Sequence, residues 1–204
     1  MAIKIQGTTI INDAAADNPN LGSGALASNT TSINNIAVGK NALNSNTTGR
    51  CNTAVGACSL FSNTIGNDIT AVGYGSLSSF ISGTGLSAPT AVGAYSMGNA
   101  VGTNAQTNAA FGYYGLGGLT TGVGNTAVGN YAGAFLTVAE CGTWVGFAAG
   151  YNNQGSRNTG VGYQALCDGS GVDNTAVGNY GGAYVYGSRN TAVLSTHDPS
   201  HNAW

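Results

Sequence analysis

Residues 52–56 read Asn-Thr-Ala-Val-Gly, and the same five residues return at 125–129 and at 174–178. Weaker copies fill the chain between them, so glycine marks a period. Successive glycines lie 16–20 residues apart, and Leu194 closes the series. Self-similarity at such a period is the signature of a solenoid. The glycines that end the copies, and that are predicted to form a turn, are Gly39, Gly56, Gly73, Gly93, Gly112, Gly129, Gly146, Gly162 and Gly178.

Each position of the repeat keeps its own chemistry. A threonine column stands three residues before the glycine, and an alanine column that Trp144 and Gly160 interrupt follows it. A small residue is third after the glycine, and Leu or Met often comes next, as at Leu60 and Met97. The residue directly before the glycine is never polar, which predicts a buried column consisting of Val38, Val55, Val72, Val92, Phe111, Val128, Val145, Val161, Val177 and Val193.

The Thr-x-Val triplet that ends at glycine predicts a short strand followed by a sharp turn. β-branched residues fit a pleated surface, and glycine adopts backbone angles that are costly for other residues. So short a strand is unstable alone, but stacking on the strands of neighbouring coils completes its hydrogen-bond ladder. We therefore predict an all-β parallel β-roll of about eleven coils over residues 18–194. At an interstrand rise of roughly 4.8 Å, it forms a rod roughly 50 Å long.

Alternation along the strand sends threonine and valine to one face and alanine to the other. We predict that threonine and valine lie inside the coil and that alanine lies outside, where small residues let a neighbouring chain approach. Trp144 is the exception in the alanine column, and Gly160 in the next copy is predicted to leave space beside it. An asparagine column, which includes Asn52 and Asn125, is typical both of amide stacking between coils and of turn corners.

Composition excludes several classes of function. Charged residues make up 6% of the chain and the net charge is −2. Five scattered cations cannot form the basic surface that a nucleic acid requires. No apolar run approaches the length of a transmembrane helix, so membrane insertion is not predicted. The N-terminal residues lack the apolar core of a secretory signal.

The sequence predicts no catalytic, cofactor-binding or metal site, and hence a protein that is not an enzyme. Seven acidic residues are spread over 204 positions, which leaves no carboxylate pair suited to acid–base chemistry. His197 and His201 flank Asp198, but Pro199 disfavours a helix that would align the two imidazoles. The four cysteines lack a zinc-binding spacing and are predicted to be small buried filler.

Four tyrosines each fall two residues after a glycine of the repeat: Tyr95, Tyr114, Tyr131 and Tyr180. An exposed aromatic column could bind a glycan by stacking on its sugar rings. It could equally pack at an interface between chains, where tyrosine is enriched, and we favour packing. No receptor-binding residue can be assigned from the sequence.

The repeat columns resemble the β-roll heads of trimeric autotransporter adhesins, and residues 52–60 are more similar still to repeats of bacteriophage tail fibres and related virion proteins. Residues 7–13 (Gly-Thr-Thr-Ile-Ile-Asn-Asp) are similar to a segment with which such proteins often begin. The resemblance implies a homotrimer of left-handed β-rolls. The sequence shows no secretion signal, heptad stalk or C-terminal membrane anchor, which favours a virion protein assembled in the host cytoplasm.

The expected function is accordingly that of a non-enzymatic virion structural protein, a trimeric tail fibre or host-contact segment. A host surface glycan or protein would be a further partner. A head fibre or a capsid decoration (cement) protein is the alternative. A bacterial surface adhesin is more remote, and so is an ice-binding solenoid, because the single threonine per coil is predicted to be buried.

Two short segments lie outside the repeat. Residues 1–17 are predicted to be either an N-terminal cap, which solenoids need, or a segment that docks on another virion protein. Residues 195–204 are predicted to be the C-terminal cap, because Pro199 ends strand propagation. Length variation falls between the leucine column and the next asparagine, which predicts surface loops there.

Overall fold

The computed structural model describes the backbone of residues 3–5 and 8–13, and backbone and side chains of residues 17–82, 88–101 and 107–193. These residues form strands and turns and no helix. The strands are β1 (Ile3–Ile5), β2 (Thr8–Asp13), β3 (Asn18–Leu21), β4 (Ile36–Val38), β5 (Thr53–Val55), β6 (Thr70–Val72), β7 (Thr90–Val92), β8 (Ala109–Phe111), β9 (Thr126–Val128), β10 (Thr143–Val145), β11 (Asn152–Asn153), β12 (Thr159–Val161), β13 (Asp168–Gly169), β14 (Thr175–Val177), β15 (Tyr184–Val185) and β16 (Thr191–Val193).

One strand from each repeat stacks in parallel to form a wall of a solenoid. This wall contains β3 to β10, then β12, β14 and β16. Neighbouring strands pair in register, so Thr53 lies beside Thr70 and Val55 lies beside Val72. About ten turns of chain connect these strands. The predicted all-β parallel solenoid is therefore confirmed, and each column of the sequence repeat is a physical column along the rod.

The glycine that ends each strand has a backbone conformation that other residues rarely adopt. Its φ lies between 121° and 135° throughout the column from Gly39 to Gly178. The next coil is also very close, since a Cβ on Gly129 would lie 2.4 Å from the carbonyl oxygen of Gly146. The predicted turn column thus meets two separate requirements for glycine, its backbone angle and its lack of a side chain.

The inward face of the strands is the alanine face, so the prediction that valine and threonine lie inside the coil is wrong. Ala54, Ala71 and Ala127 are fully buried. The threonines of the wall are half-buried or exposed. In the predicted buried column, Val38, Val55, Phe111, Val128, Val145 and Val177 are 36–42% exposed and Val193 is 74% exposed, while Val72, Val92 and Val161 are half-buried.

The core explains why alanine faces inward. The alanines share one apolar cluster with the leucine column, whose members are buried: Leu26, Leu43, Leu60, Leu77, Met97, Leu116 and Leu166. A coil of 16 or 17 residues is narrow, and protein interiors are close-packed. A methyl group on the strand leaves room for the leucine, whereas a valine would not. Each buried leucine stabilises the coil by about 1.5–3 kcal/mol.

Trp144 fits into the alanine column because neighbouring positions carry no side chain. It is fully buried and pairs in register with Gly160, whose predicted role as a space beside the indole is confirmed. Gly150 and Gly133 replace leucine in the same coil and in the preceding one. A Cβ on Gly150 would lie 2.2 Å from the indole ring. The indole therefore fills space that leucine side chains fill elsewhere in the rod.

The asparagine column performs both of the roles predicted for it. The backbone N–H of Asn52 donates to Oδ1 of Asn35 in the preceding coil at 3.0 Å, which links one coil to the next. Nδ2 of Asn52 donates to the carbonyl oxygen of Gly66 at 2.8 Å, which holds the corner where its own coil closes. Both asparagines are fully buried, so these bonds satisfy polar groups that water cannot reach.

At the N-terminal end, an antiparallel hairpin adjoins the first coil. β1 pairs with β2, and β2 pairs with β3 in antiparallel register. This pairing covers the free edge that β3 would otherwise present. That residues 1–17 dock on another protein stays a prediction. Residues 194–204 lie outside the described part of the chain, and with them the predicted C-terminal cap (195–204), His197 and His201.

The length of the repeat determines whether the wall opposite the strand wall also forms a β-sheet. Where the repeats shorten to 16 residues, this wall becomes a parallel sheet of β11, β13 and β15. The two longest repeats follow Gly73 and Gly93. The surface loops predicted there include residues 83–87 and 102–106, which are not described.

Candidate binding surfaces

The outward side of the strand wall forms a regular surface that we call the sheet face. It consists of the outward side chains of β4 to β10, β12, β14 and β16, which are mainly threonine and valine. Val128 and Val177 are 41% and 40% exposed, and Thr126 and Thr175 beside them are exposed as well. No charged residue belongs to this face, which leaves an uncharged, half-apolar strip along the rod.

Charge gathers instead at the corner that precedes each strand. Of the charged side chains in the described residues, only Lys40 and Asp168 lie away from it. Those at the corner are Asp17, Arg50, Asp68, Glu140, Arg157, Asp173 and Arg189. Because this corner carries nearly all of the charged side chains in the described residues, it is the side of the rod best suited to face water.

Along four successive coils, the sign of the charge at this corner alternates through Glu140, Arg157, Asp173 and Arg189. Arg157 donates from Nε to Oδ1 of Asp173 at 2.6 Å and from Nη2 to Oδ2 at 3.0 Å. This paired hydrogen bond holds the pKa of the Asp173 carboxyl below its usual range, and Arg189 lowers it further.

An aromatic ridge runs along the rod beyond the glycine turns. Neighbouring ring centroids are 4.8–6.3 Å apart. The sequence prediction named the rings two residues after a glycine and missed those directly after one. The same period would have revealed Tyr74, Tyr113, Phe147 and Tyr163. The ridge consists of Tyr74, Tyr95, Tyr113, Tyr114, Tyr131, Phe135, Phe147, Tyr151, Tyr163 and Tyr180.

The phenols of Tyr131 and Tyr180, both in the ridge, have a raised pKa. Partial burial between rings raises the pKa of Tyr131, and a hydrogen bond with Tyr113 raises it further. For Tyr180, a hydrogen bond with Tyr163 is the main cause of the raised pKa. Since an unperturbed tyrosine already ionises near pH 10, these hydroxyls carry no charge at neutral pH.

One concave groove interrupts the ridge. It has a volume of about 460 Å³ and is lined by Tyr131, Phe147, Ala148, Tyr151, Gln164 and Cys167. The tyrosines two residues after a glycine are replaced here by Ala148 and Gln164, between Tyr131 and Tyr180. The missing rings open the groove, and Phe147 and Tyr151 form its aromatic walls.

The cysteines are more accessible than predicted. Cys51 and Cys141 are exposed, Cys58 and Cys167 are half-buried, and all four are free thiols. The prediction of buried filler is therefore wrong for the first two. Both occupy a corner position with positive φ, at 57° and 55°, where the side chain points away from the core. Burial, together with the nearby Asp168, raises the pKa of the Cys167 thiol.

The described residues contain no cluster of three or more side chains suited to hold a metal ion. Within the same part of the chain, no helix has the length and apolar character needed to cross a membrane.

The fold and these surfaces define the chain as an all-β parallel solenoid with an uncharged sheet face and an aromatic ridge. Comparison with known protein families, curated proteins and solved structures gives no match. Functional assignment therefore depends on the surfaces themselves.

Proposed function

We propose that the protein is a non-enzymatic structural component of a bacteriophage virion, a tail fibre or host-contact segment in which three left-handed rods associate side by side. The observation that supports this most is the sheet face, which is regular, uncharged and half-apolar along the wall of strands. The resemblance of the repeat to repeats of virion proteins supports the assignment to a virion. Residues 1–17 would dock on another virion protein.

Association through the sheet face has a physical reason. Valine side chains that are 36–41% exposed recur along the rod, and covering apolar surface gains about 25 cal/mol per Å². Soluble monomers rarely leave so long a contiguous apolar strip uncovered. The charged corner, by contrast, would remain in water in such an assembly. Three identical rods around one axis form a closed assembly.

The mass of the purified chain in solution tests the assembly. Light scattering after size-exclusion chromatography should give three times the 20.2 kDa of one chain. A mass of 20.2 kDa would contradict the proposed trimer. A stable dimer would keep the use of the sheet face but remove the threefold arrangement.

The position in the virion separates a tail fibre from a head fibre or decoration protein. Purified virions labelled with an antibody against the rod should carry the label on the tail in electron micrographs. Label on the capsid would favour the decoration role, and virions without label would contradict the virion proposal.

Ice binding is a second candidate function, because the threonines that were predicted to be buried lie on the outward side of the wall. Thr126 and Thr175 are exposed, and their column repeats at the interstrand spacing of about 4.8 Å. A flat array of this kind could order water. Thermal hysteresis at micromolar protein would support this function, and its absence would remove it.

A further inference from the structure

We infer that the groove lined by Tyr131, Phe147, Ala148, Tyr151, Gln164 and Cys167 binds neutral pyranose units of an oligosaccharide. This inference deepens the host-contact part of the proposed function and rests on it only for the source of the sugar. The binding itself is a property of the single chain.

The walls of the groove present aromatic surface to solvent. Phe147 is 45% exposed and Tyr151 is 37% exposed, and Tyr163 stacks on Phe147 with an angle of 9° between the ring planes. The face of an aromatic ring carries partial negative charge, which attracts the weakly positive C–H groups on the face of a pyranose ring. Centroids of neighbouring rings in the ridge are 4.8–6.3 Å apart, so the rings present a continuous aromatic surface along which a short oligosaccharide could lie.

The rim of the groove supplies uncharged hydrogen-bonding groups. The carboxamide of Gln164 both donates and accepts, and within the described part of the chain its side chain makes no hydrogen bond. Tyr131 and Tyr151, whose side chains each carry a hydroxyl, line the same space, and the Tyr131 hydroxyl also bonds with Tyr113. A few polar groups on a mostly apolar concave wall are typical of small-ligand sites, and 460 Å³ lies within their usual range of about 300–1,000 Å³.

Charge near the groove selects a neutral sugar over an acidic one. No charged residue lines the space, and the nearest charged neighbour along the chain is Asp168, whose negative charge helps raise the pKa of Cys167. A carboxylate on a sugar would be repelled by that aspartate and would find no cation to pair with. Hydroxyl groups meet no such penalty.

The groove also differs from the sheet face in its distribution along the rod. The valine column repeats from coil to coil, as an interface between identical rods would require. The groove occurs where Ala148 and Gln164 replace the tyrosines of their column. A local concavity suits a small ligand better than it suits a second straight rod.

Isothermal titration calorimetry of the full chain with maltohexaose, cellohexaose and hexa-N-acetylchitohexaose tests the inference. At least one of these neutral probes should bind. Ala148→Tyr should weaken that binding at least tenfold, because it restores the missing ring and fills the groove. The backbone tolerates this change, since φ is 51° at Ala148 and 58° at Tyr131, the equivalent position of the preceding coil.

Two further variants make the result specific. Tyr151→Ala should weaken binding as strongly as Ala148→Tyr does. Tyr186→Ala removes a ring that is 61% exposed but lies outside the groove, and should bind like the wild type. All variants should melt as the wild type does.

Several results would overturn the inference. The first is that none of the three probes gives a heat of binding. The second is that Ala148→Tyr binds as the wild type does. The third is that Tyr186→Ala loses as much affinity as Ala148→Tyr. If Ala148→Tyr instead lowers the mass of the assembly and no probe binds the wild type, the groove is an interface between copies and the sugar site is excluded. The results with the probes do not depend on whether the wild type is a trimer, so the inference and the proposed assembly fail separately.

Discussion

Asn125 shows how one buried side chain connects three successive coils. Its Oδ1 accepts the backbone N–H of Gly142 in the next coil at 2.8 Å. Its Nδ2 donates to the carbonyl oxygen of Ala139 at 2.7 Å and to Oδ1 of Asn108 in the preceding coil at 3.2 Å. Turn propensity alone would favour asparagine, aspartate or glycine at such a corner. Of these three residues, only asparagine has a side chain that donates and accepts without burying a charge.

Asn125→Ala should lower the free energy of unfolding by about 2–4 kcal/mol, because the Gly142 N–H and the Ala139 carbonyl would be left buried without partners. Urea unfolding followed by circular dichroism measures the change. Asn179→Ala is the matched control, since Asn179 is exposed, and it should change stability by less than about 0.5 kcal/mol. Equal stability of the two variants would contradict a structural role for the buried column.

At the level of a single coil, Trp144 and the missing leucines form one packing unit. In this coil an indole occupies the alanine column and glycine occupies the leucine column, whereas most coils have alanine and leucine at these two positions. The large side chain has moved from the leucine column to the alanine column, so the core is still filled. Core sequences that preserve total volume are tolerated best, so the two positions should behave as a pair.

Trp144→Ala should destabilise the rod by about 3–5 kcal/mol by leaving a cavity. Gly150→Leu alone should prevent folding, because its Cβ would already lie 2.2 Å from the indole. The double variant Trp144→Ala/Gly150→Leu should be more stable than either single variant, since it recreates the core of the other coils. Positive φ is no obstacle, because Leu60 has a φ of 51° and Gly150 one of 62°. Additive losses in thermal unfolding would contradict the exchange.

The ladder of alternating charge at the corner should make stability depend on pH. The carboxyl of Asp173 has a lowered pKa because Arg157 favours its charged form. Its contribution is therefore present above the ordinary carboxyl pKa of about 3.9 and is lost as pH falls through the lower folded value. The Tm of Asp173→Asn should lie below that of the wild type at neutral pH, and the difference should vanish in acid.

Both side chains of this pair are substantially exposed, at 58% for Arg157 and 39% for Asp173, so the effect on Tm should be small. Sodium chloride at about 0.5 M should reduce it further by screening. A difference in Tm that persists in acid or that is insensitive to salt would show that Asp173 acts by other means than its charge.

The sequence was sufficient to predict the strand of each repeat, the glycine turn after it and the solenoid, because the period fixes which residues are equivalent. It did not predict the hairpin strands β1 and β2 or the sheet of β11, β13 and β15. Thr53, Thr70 and Thr90 pair as their spacing requires. Periodicity does not decide which face of an alternating strand points inward. That choice depends on the width of the coil and on the leucine column across it, and both are defined only once the coil has closed in three dimensions. The aromatic groove was missed for a related reason, since it arises where Ala148 and Gln164 break a column.

For the whole molecule, the finding that alanine and not valine faces the core changes the expected effect of a substitution in the valine column. Had valine filled the core, Val128→Asp would have destroyed the fold by burying an unpaired charge. Val128 is 41% exposed, and an aspartate there can reach water in the single chain. In the proposed trimer, by contrast, equivalent carboxylates would be brought together on covered sheet faces, where desolvation and like charge are unfavourable.

Val128→Asp should therefore separate the chains without unfolding them. The mass measured by light scattering should fall from three times 20.2 kDa to 20.2 kDa. The far-UV circular dichroism spectrum at low temperature should still be that of a β-sheet protein. Ala127→Asp is the matched control, because Ala127 is fully buried and a carboxylate there has neither partner nor water, so this variant should not fold. A Val128→Asp variant that keeps the trimer mass would place the contact between rods on a surface other than the sheet face. One that unfolds like Ala127→Asp would mean that the rod depends on its partners to fold.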